Sequence, residues 1–574
     1  MRGRFSKLHI VRLFVVLGAV AVILSGCANI FSGGTSSGGT TRPDSQQILR
    51  YPLNANSIDI KTMDPAENQD FYSYFPISLV FPGLLTLNAS GQPVPWAATS
   101  MPSFNAANNT YTVTVRSGLK WSDGTPIDAN TFAYSINRSL SPCTASPVTY
   151  YMFPIKDAAA FSTETCGSDG VTVKGKIQSL IGDSLNVPDS QTLVITLNAP
   201  APYFLQAMCY PTAYAQPEQL IQKYGSKNWT AHLTDNGGFG GNLYKVSVWD
   251  HKGNLDLVRN ASFWGTAPKL SQVDFKIYQT VNAEYSDYLA GSLDLGIAPP
   301  AQYKTSKARS DFHEQPFLAI SYYQPNWAKA PFNNVDVRQA FDLALDKTVL
   351  ANQVNQGSVI ATNHIVPQGM YGYDPSLTTP DGTTTLTGDV AKATALMQTY
   401  ANANCGGQMS KCTPVTLYDS NDPAIVTADQ AAVQMWQTAF PGYPIKTQFI
   451  DFNTEISLIY SANAPQIFGI GWSADYADPQ DWLSLQFGPT SINNTGSVNV
   501  PAADALMAKA DVDLTAATRA TEYNQAEQLL VDQGAWIPLN QQKTFYTLQP
   551  TVHNFVYNSL GEVPMSAWQT IYLS

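Results

Sequence analysis

Three features of the sequence predict an α/β fold. Residues 414–471 alternate between short apolar runs and longer stretches with apolar residues at helical spacing: strand 414–418, helix 427–440, strand 445–450, helix 454–461 and strand 466–471. That order makes a βαβαβ unit, whose strands are expected to run parallel. Nearer the N-terminus, the alternating run 111–116 leads through Trp121-Ser122-Asp123-Gly124-Thr125-Pro126, dense in turn residues, to a helix capped by Asp128 with Phe132, Ile136 and Leu140 on one face. At 574 residues the chain holds material for three or four domain-sized units, or for two large lobes.

The chain opens with Arg2, Arg4, Lys7 and Arg12, then the apolar run 13–24 and Leu24-Ser25-Gly26-Cys27. The run is too short to span a bilayer comfortably, so residues 1–26 read as a signal peptide. Its end resembles a bacterial lipobox, which implies cleavage before Cys27 and lipid on that sulfur; an ordinary signal with an unrelated cysteine is the alternative. Acyl chains on one cysteine bury enough methylenes to hold a protein at a membrane without a spanning helix. Residues 32–45 are mostly Gly, Ser and Thr, so 27–45 read as a lipidated cysteine and a flexible tether, with a reach of about 20 Å. Loss of the four basic residues takes the formal balance from −11 to −15, which argues against a nucleic-acid partner. Only 13% of residues are charged and 11% are aromatic, the composition of a folded exported protein that meets ligands through rings.

Five further cysteines follow Cys27. Outside the cytoplasm Cys405 and Cys412 are expected to form a disulfide, and Cys143 with Cys166 is a second candidate pair. Cys209, between Met208 and Tyr210, reads as buried. None of the spacings suits zinc or a redox pair.

From 48 to 65 the chain reads as polar and extended, and Phe71, Tyr72, Tyr74 and Phe75 read as core or as a ligand wall. Residues 193–198 alternate as a strand. The glycine cluster that follows Asn236 opens the strand 243–248 rather than a helix, which removes the dinucleotide reading, and no cofactor is implied. A strand at 273–278, a helix at 283–290 ended by Gly291 and a strand at 293–298 come next. Residues 317–323 read as a strand crossing between lobes, followed by a helix capped by Asp336 with Val337, Phe341 and Leu345 in line.

The candidate site is residues 465–483, PQIFGIGWSADYADPQDWL. Ile467, Phe468 and Ile470 form a strand that runs into Trp472, Ser473, Asp475, Tyr476 and Asp478. A carboxylate beside an indole holds a cation against a wall that excludes water, and a free α-ammonium is such a cation. The plainer reading makes Asp475 and Asp478 caps of a helix beginning at Gln480 and Trp472 a core residue. Position favours the first, because ligands of open α/β sheets gather beyond the carboxyl ends of the strands.

Several stretches resemble one family in order and spacing: Phe81-Pro82-Gly83-Leu84-Leu85, residues 119–126 (LKWSDGTP), Pro331-Phe332 with Val337-Arg338-Gln339-Ala340-Phe341, and 471–479. This is similar to the family 5 extracellular solute-binding proteins, the oligopeptide and dipeptide receptors of ABC importers; Thr144-Ala145-Ser146-Pro147 followed by tyrosines resembles the oligopeptide receptors among them. The resemblance implies a periplasmic-binding-protein type II fold: two α/β lobes that close over an interlobe cleft, joined by two crossing strands, with an additional domain on the N-terminal lobe. Lobe I would comprise 46–75, 190–317 and 541–574, the additional domain 76–189 and lobe II 318–540. By motif position Asp475 would meet the peptide α-ammonium, Trp472 would wall a side-chain pocket, and Gly471 and Ser473 would offer backbone to the peptide. Tyr150 or Tyr151, and Tyr322 or Tyr323, would face the cleft. The implied partners are a short peptide, the permease subunits of an ABC importer and, through lipid, the outer face of the bacterial cell membrane; the protein itself is expected to be a monomer. Two departures stand out: Gly241-Asn242-Leu243-Tyr244 replaces the family's Gly-Pro-Tyr, and Asn334 replaces its turn aspartate.

An enzyme is disfavoured, since the six histidines form no HExxH pair and no GxSxG is present. A glycosidase reading of Asp475 and Asp478 rests on spacing alone. A sugar, opine or metal chelate bound by the same fold, and a tethered sensory binder, are the competing functions.

Overall fold

A computed structural model describes residues 41–54 and 57–574. The signal peptide, Cys27 and most of the expected tether lie outside the described residues. Residues 41–45, expected within the tether, are docked instead: Arg42 donates its amide to the Leu573 carbonyl (3.0 Å) and Nε to that of Ser574 (3.1 Å), and Arg259 pairs with Asp44 (2.8 Å). No helix among the described residues is long and apolar enough to cross a membrane.

In chain order, the strands that build the three larger sheets are β1 (Ile48–Leu53), β2 (Ser103–Asn105), β3 (Thr110–Thr114), β4 (Leu185–Asp189), β5 (Thr192–Thr196), β6 (Tyr244–Trp249), β7 (Asn254–Arg259), β8 (Gln272–Ile277), β9 (Leu295–Gly296), β10 (Phe312–Pro325), β11 (Val359–Ala361), β12 (Val415–Ser420), β13 (Ile445–Ile450), β14 (Ile467–Ser473) and β15 (Ile537–Leu548). The helices that matter below are α1 (Phe71–Val80), α2 (Ala129–Leu140), α3 (Val281–Leu289), α4 (Val335–Leu343), α5 (Pro423–Ala439), α6 (Phe452–Ile459) and α7 (Ala516–Asp532).

The first sheet has the order β1-β8-β7-β6, with β1 parallel to β8. Residues 48–65, expected as a polar extended run, therefore begin with a core strand, because Leu49, Tyr51 and Leu53 turn inward while Ile48 and Arg50 stay half-buried. α1 closes this core with Phe75 and leaves Phe71 exposed, so the aromatic cluster is divided. Asn242 ties the helix to the sheet region: its side chain donates to the Ser78 carbonyl (2.6 Å) and accepts from Trp96 Nε1 (2.9 Å). Gly241 beside it is required by close approach, since a Cβ there would lie 2.5 Å from the Trp121 ring.

The second sheet, β2-β3-β5-β4, is antiparallel and packs against α2, which Asp128 caps in a reciprocal box with Thr131. Because β5 pairs with β3 along Thr110–Thr114, this sheet extends beyond the boundary expected at 189. Arg138 of α2 is clasped by Asp64 (2.6 and 2.9 Å), fixing the helix that precedes the turn Thr149–Met152.

The third sheet has the order β9-β15-β10-β14-β12-β13, with β11 on β15. β12 is parallel to both β13 and β14, as a βαβαβ unit requires. α5 starts at 423, ahead of the expected 427, because Asp422 accepts from the Ala424 and Ile425 amides and Pro423 suits the first turn. α4 is capped by Asn334, not by the expected Asp336: Asn334 accepts from the Asp336 (2.8 Å) and Val337 (3.3 Å) amides, which places Asp336 inside the first turn. Thr280 caps α3, and of the expected strand 293–298 only β9 pairs. The crossing elements are β10 and β15, at 14 and 12 residues. The C-terminal end of β15 pairs with β9 beside the first sheet, where the adjoining Asp294 binds Arg50 of β1 (2.5 Å).

Disulfides link Cys143 to Cys166 and Cys405 to Cys412, and Cys209 is free and buried. The Cys405–Cys412 bridge joins the end of the helix Val390–Asn404 to the approach to β12. Replacing both cysteines by serine is expected to cost about 2–3 kcal/mol from the short loop it closes, read as a lower urea midpoint.

Candidate functional site

β14 is paired on both edges only at its start. β12 covers Ile467 and Phe468 and then diverges, whereas β10 stays paired as far as Ser473. From Gly469 onward one edge of β14 is bare of strand partners, and Gly471 and Ser473 are exposed there. The chain then turns, with the Ala474 amide held by the Leu318 carbonyl (2.8 Å).

Asp475 sits half-buried in this turn. Its Oδ2 accepts from the Tyr150 hydroxyl at 3.3 Å, a contact spanning 325 residues of sequence. Tyr150 heads a ladder of rings, with Tyr151 at 4.5 Å and Tyr210 a further 4.1 Å on. No Lys, Arg or His among the described residues lies within ion-pair distance of Asp475. Burial raises its carboxyl to about 6, against the hydrogen bonds from Tyr151 and Tyr150 that favour the ionised form. It is thus ionised at neutral pH and neutral in acid, which sets a sign: affinity for a cationic group holds above pH 6 and falls below it. We expect any ligand held there by a primary ammonium to bind about tenfold more weakly at pH 5 than at pH 7, measured by calorimetry.

Asp481, which sequence reasoning missed, organises the turn. It is fully buried, and its Oδ2 accepts both from Trp472 Nε1 (3.1 Å) and from the Asp475 amide (3.2 Å). Burial first, then the charge of Asp475, push its carboxyl well above the usual range, while the bonds from Trp472 and the Asp475 amide make it the clamp of the turn. Its only sequence signal is an acid in a Pro-led turn six residues after Asp475. Asp478 plays a different part, since it caps the 3-10 turn Pro479–Asp481 and is gripped by Arg519 of α7 at 2.5 and 2.7 Å. The capping reading therefore applies to Asp478 alone, and a glycosidase pair of Asp475 with Asp478 is excluded because both Asp478 oxygens are committed to the guanidinium.

Two cavities flank the turn. One, of about 350 Å³, is walled by Tyr150, Tyr151, Tyr203 and Tyr476. The other, of about 410 Å³, lies against Tyr322, Ile470, Gly471 and Trp472. Tyr322 stacks on Trp536 at 3.5 Å. Tyr323 does not reach the cavity: strand alternation sends it to the opposite face, fully buried, with its hydroxyl donating to Asp429 (2.7 Å). Trp472 is half-buried at the cavity wall rather than in the core. No group of three or more His, Cys, Asp or Glu side chains among the described residues is placed to hold a metal. A bare strand edge ending in an unpaired carboxylate can take an extended chain by main-chain hydrogen bonds and hold an ammonium at its end.

Comparison with known proteins places the chain. Residues 92–494 match the model of the bacterial extracellular solute-binding proteins, family 5 Middle. The chain is 26% identical to the oligopeptide-binding protein OppA of Bacillus subtilis, with 98% of each covered. It is 27% identical to the periplasmic oligopeptide-binding protein OppA of Escherichia coli, with 92% of each covered. The structure of the Escherichia coli murein tripeptide binding protein MppA superposes with a TM-score of 0.72 at 24% identity, over 92% of this chain and 98% of that one. The two-lobed α/β fold of type II binding proteins is the fold of this chain.

Proposed function

The chain belongs to the family 5 bacterial extracellular solute-binding proteins, and from that membership we propose that it captures short peptides in an interlobe cleft outside the cytoplasmic membrane. The observation that carries this reading is the junction of β14 with its turn, where an edge free of strand partners from Gly469 onward leads to a carboxylate without a basic partner among the described residues. A peptide laid along that edge gains main-chain hydrogen bonds from Gly471 and Ser473, while its α-ammonium reaches Asp475. Tyr150 contributes from the other side of the gap, so the ligand is held best when both walls are close, and lobe closure is a population shift driven by those contacts. The names of the relatives, two of them oligopeptide-binding proteins, support the same ligand class.

Lipid on Cys27 would keep the receptor beside a permease of the ABC importer type, to which it delivers the peptide. No catalytic role is assigned. The test is direct: native mass spectrometry of the purified protein to identify what co-purifies, then calorimetry with a free tripeptide and its N-acetylated form. Free peptide is expected to bind and the acetylated form to bind far more weakly. Equal binding of the two would remove the ammonium anchor and favour a non-peptide ligand in the same fold.

A further inference from the structure

The 410 Å³ cavity behind Trp472 has an acidic floor that the peptide reading leaves unused. Asp419 at the carboxyl end of β12, Asp429 on α5 and Glu455 on α6 all line it, and no lining residue is Lys, Arg or His. Asp429 and Glu455 are each only 2% exposed. Asp429 Oδ2 and Glu455 Oε1 find no N–H or hydroxyl donor among the described residues, and Asp429 lies within hydrogen-bond reach only of another acid, Asp419, on that side. Buried carboxyl oxygens left without a donor are costly, and they lie here at a cavity wall where a ligand can satisfy them. Burial, with Asp419 acting on the other two, raises Asp429 to about 9 and Glu455 to about 8, the response of acids that lack a counter-charge.

The backbone is shaped for this arrangement. A Cβ at Gly469 would stand 1.5 Å from Asp419 Oδ2, so only glycine leaves room for that carboxylate beside β14. Above the floor one stretch of wall is apolar, built of Ile425, Ile456, Ile459 and Ile470 with the exposed Phe452 and Tyr460, and neutral amides such as Asn493, Asn540 and Gln542 complete the lining. Apolar walls over an acidic floor match a side chain with a hydrocarbon stem and a cationic tip. A small inorganic cation has no use for the stem, and a terminal carboxylate would hold Asp429 and Glu455 in their protonated form, whereas a cation favours their ionisation.

We propose that this cavity receives a basic side chain of the bound peptide, a lysine or arginine whose stem runs along the isoleucines and whose cation meets Asp419, Asp429 and Glu455. The inference rests on the peptide reading above and narrows it to peptides carrying a basic residue at one register.

The test is a calorimetric scan of the wild-type protein with tetra-alanine, its four single-lysine variants and its four single-glutamate variants, repeated on the double variant Asp429→Asn, Glu455→Gln. One lysine register is expected to bind at least tenfold tighter than tetra-alanine, glutamate at that position more weakly, and the lysine preference to vanish in the double variant while tetra-alanine still binds. Tetra-alanine binding with no preferred lysine register in the wild type would overturn the inference and leave the peptide reading intact. A lysine preference that survives the double substitution would also overturn it. If no free-amine peptide binds but pentylamine does, and does so only with Asp429 and Glu455 present, the cation pocket stands and the peptide reading falls.

Discussion

Asp475→Ala is expected to weaken binding of a free-amine peptide by about 2–5 kcal/mol, the range seen when one partner of a desolvated charge pair is removed. In affinity that is roughly 30-fold to several thousand-fold. The physical reason is that Asp475 is held half out of water without a guanidinium or ammonium of its own, so the ligand supplies the only counter-charge it meets among the described residues. Asp475→Asn separates charge from shape, because the amide oxygen still accepts from Tyr150. It should cost nearly as much as alanine if the charge is what binds. An N-acetylated peptide completes the cycle: weaker than the free peptide on the wild type, it should lose nothing further on either variant. Unfolding distinguishes a lost anchor from a damaged fold. The folded protein raises this carboxyl to about 6, above its unfolded value, so the ionised group opposes folding above pH 6. Asp475→Asn is therefore not expected to lower the unfolding midpoint at pH 8. Unchanged peptide affinity in Asp475→Ala would remove the assigned role.

The elements legible in the sequence are those with a strong period and local caps. The βαβαβ unit from β12 to β14 and the capped helix α2 emerge where their apolar spacing puts them. Boundaries set by a single side-chain hydrogen bond were harder: Asn334 and Asp336 are both good caps, and only the observed backbone decides for Asn334. The site was legible where it is contiguous. Trp472 and Asp475 lie on one short stretch, but which of two adjacent tyrosines faces a cavity depends on strand register, which places Tyr322 on it and Tyr323 behind. Asp481 and Arg519 were illegible because their roles are made by folding: one is distinguished by what donates to it, the other reaches Asp478 from 41 residues away. The acidic floor was illegible for the same reason, being assembled from a strand end and two helices whose carboxylates look, one at a time, like ordinary surface acids.

The buried pair behind the turn bears the second large effect. Arg519 and Asp478 expose only 4% and 8% of their side chains, so solvent does little to screen them. Arg519→Met leaves Asp478 buried without its counter-charge and should cost about 3–5 kcal/mol of stability, measured by urea denaturation. The guanidinium also donates to the Ala510 carbonyl (3.1 Å) and lies 4.9 Å from the Tyr523 ring, contacts that methionine keeps only as packing. Because a hydrophobic pair of similar volume often matches a buried ion pair, Arg519→Met combined with Asp478→Leu is expected to recover much of that loss. Binding should not recover with it. Asp478 caps the turn whose last residue, Asp481, orients Trp472 and the Asp475 amide, and leucine cannot accept from Gln480 N. The doubly substituted protein would fold well and bind peptide poorly, which separates what the pair does for the fold from what it does for the carboxylate three residues before it.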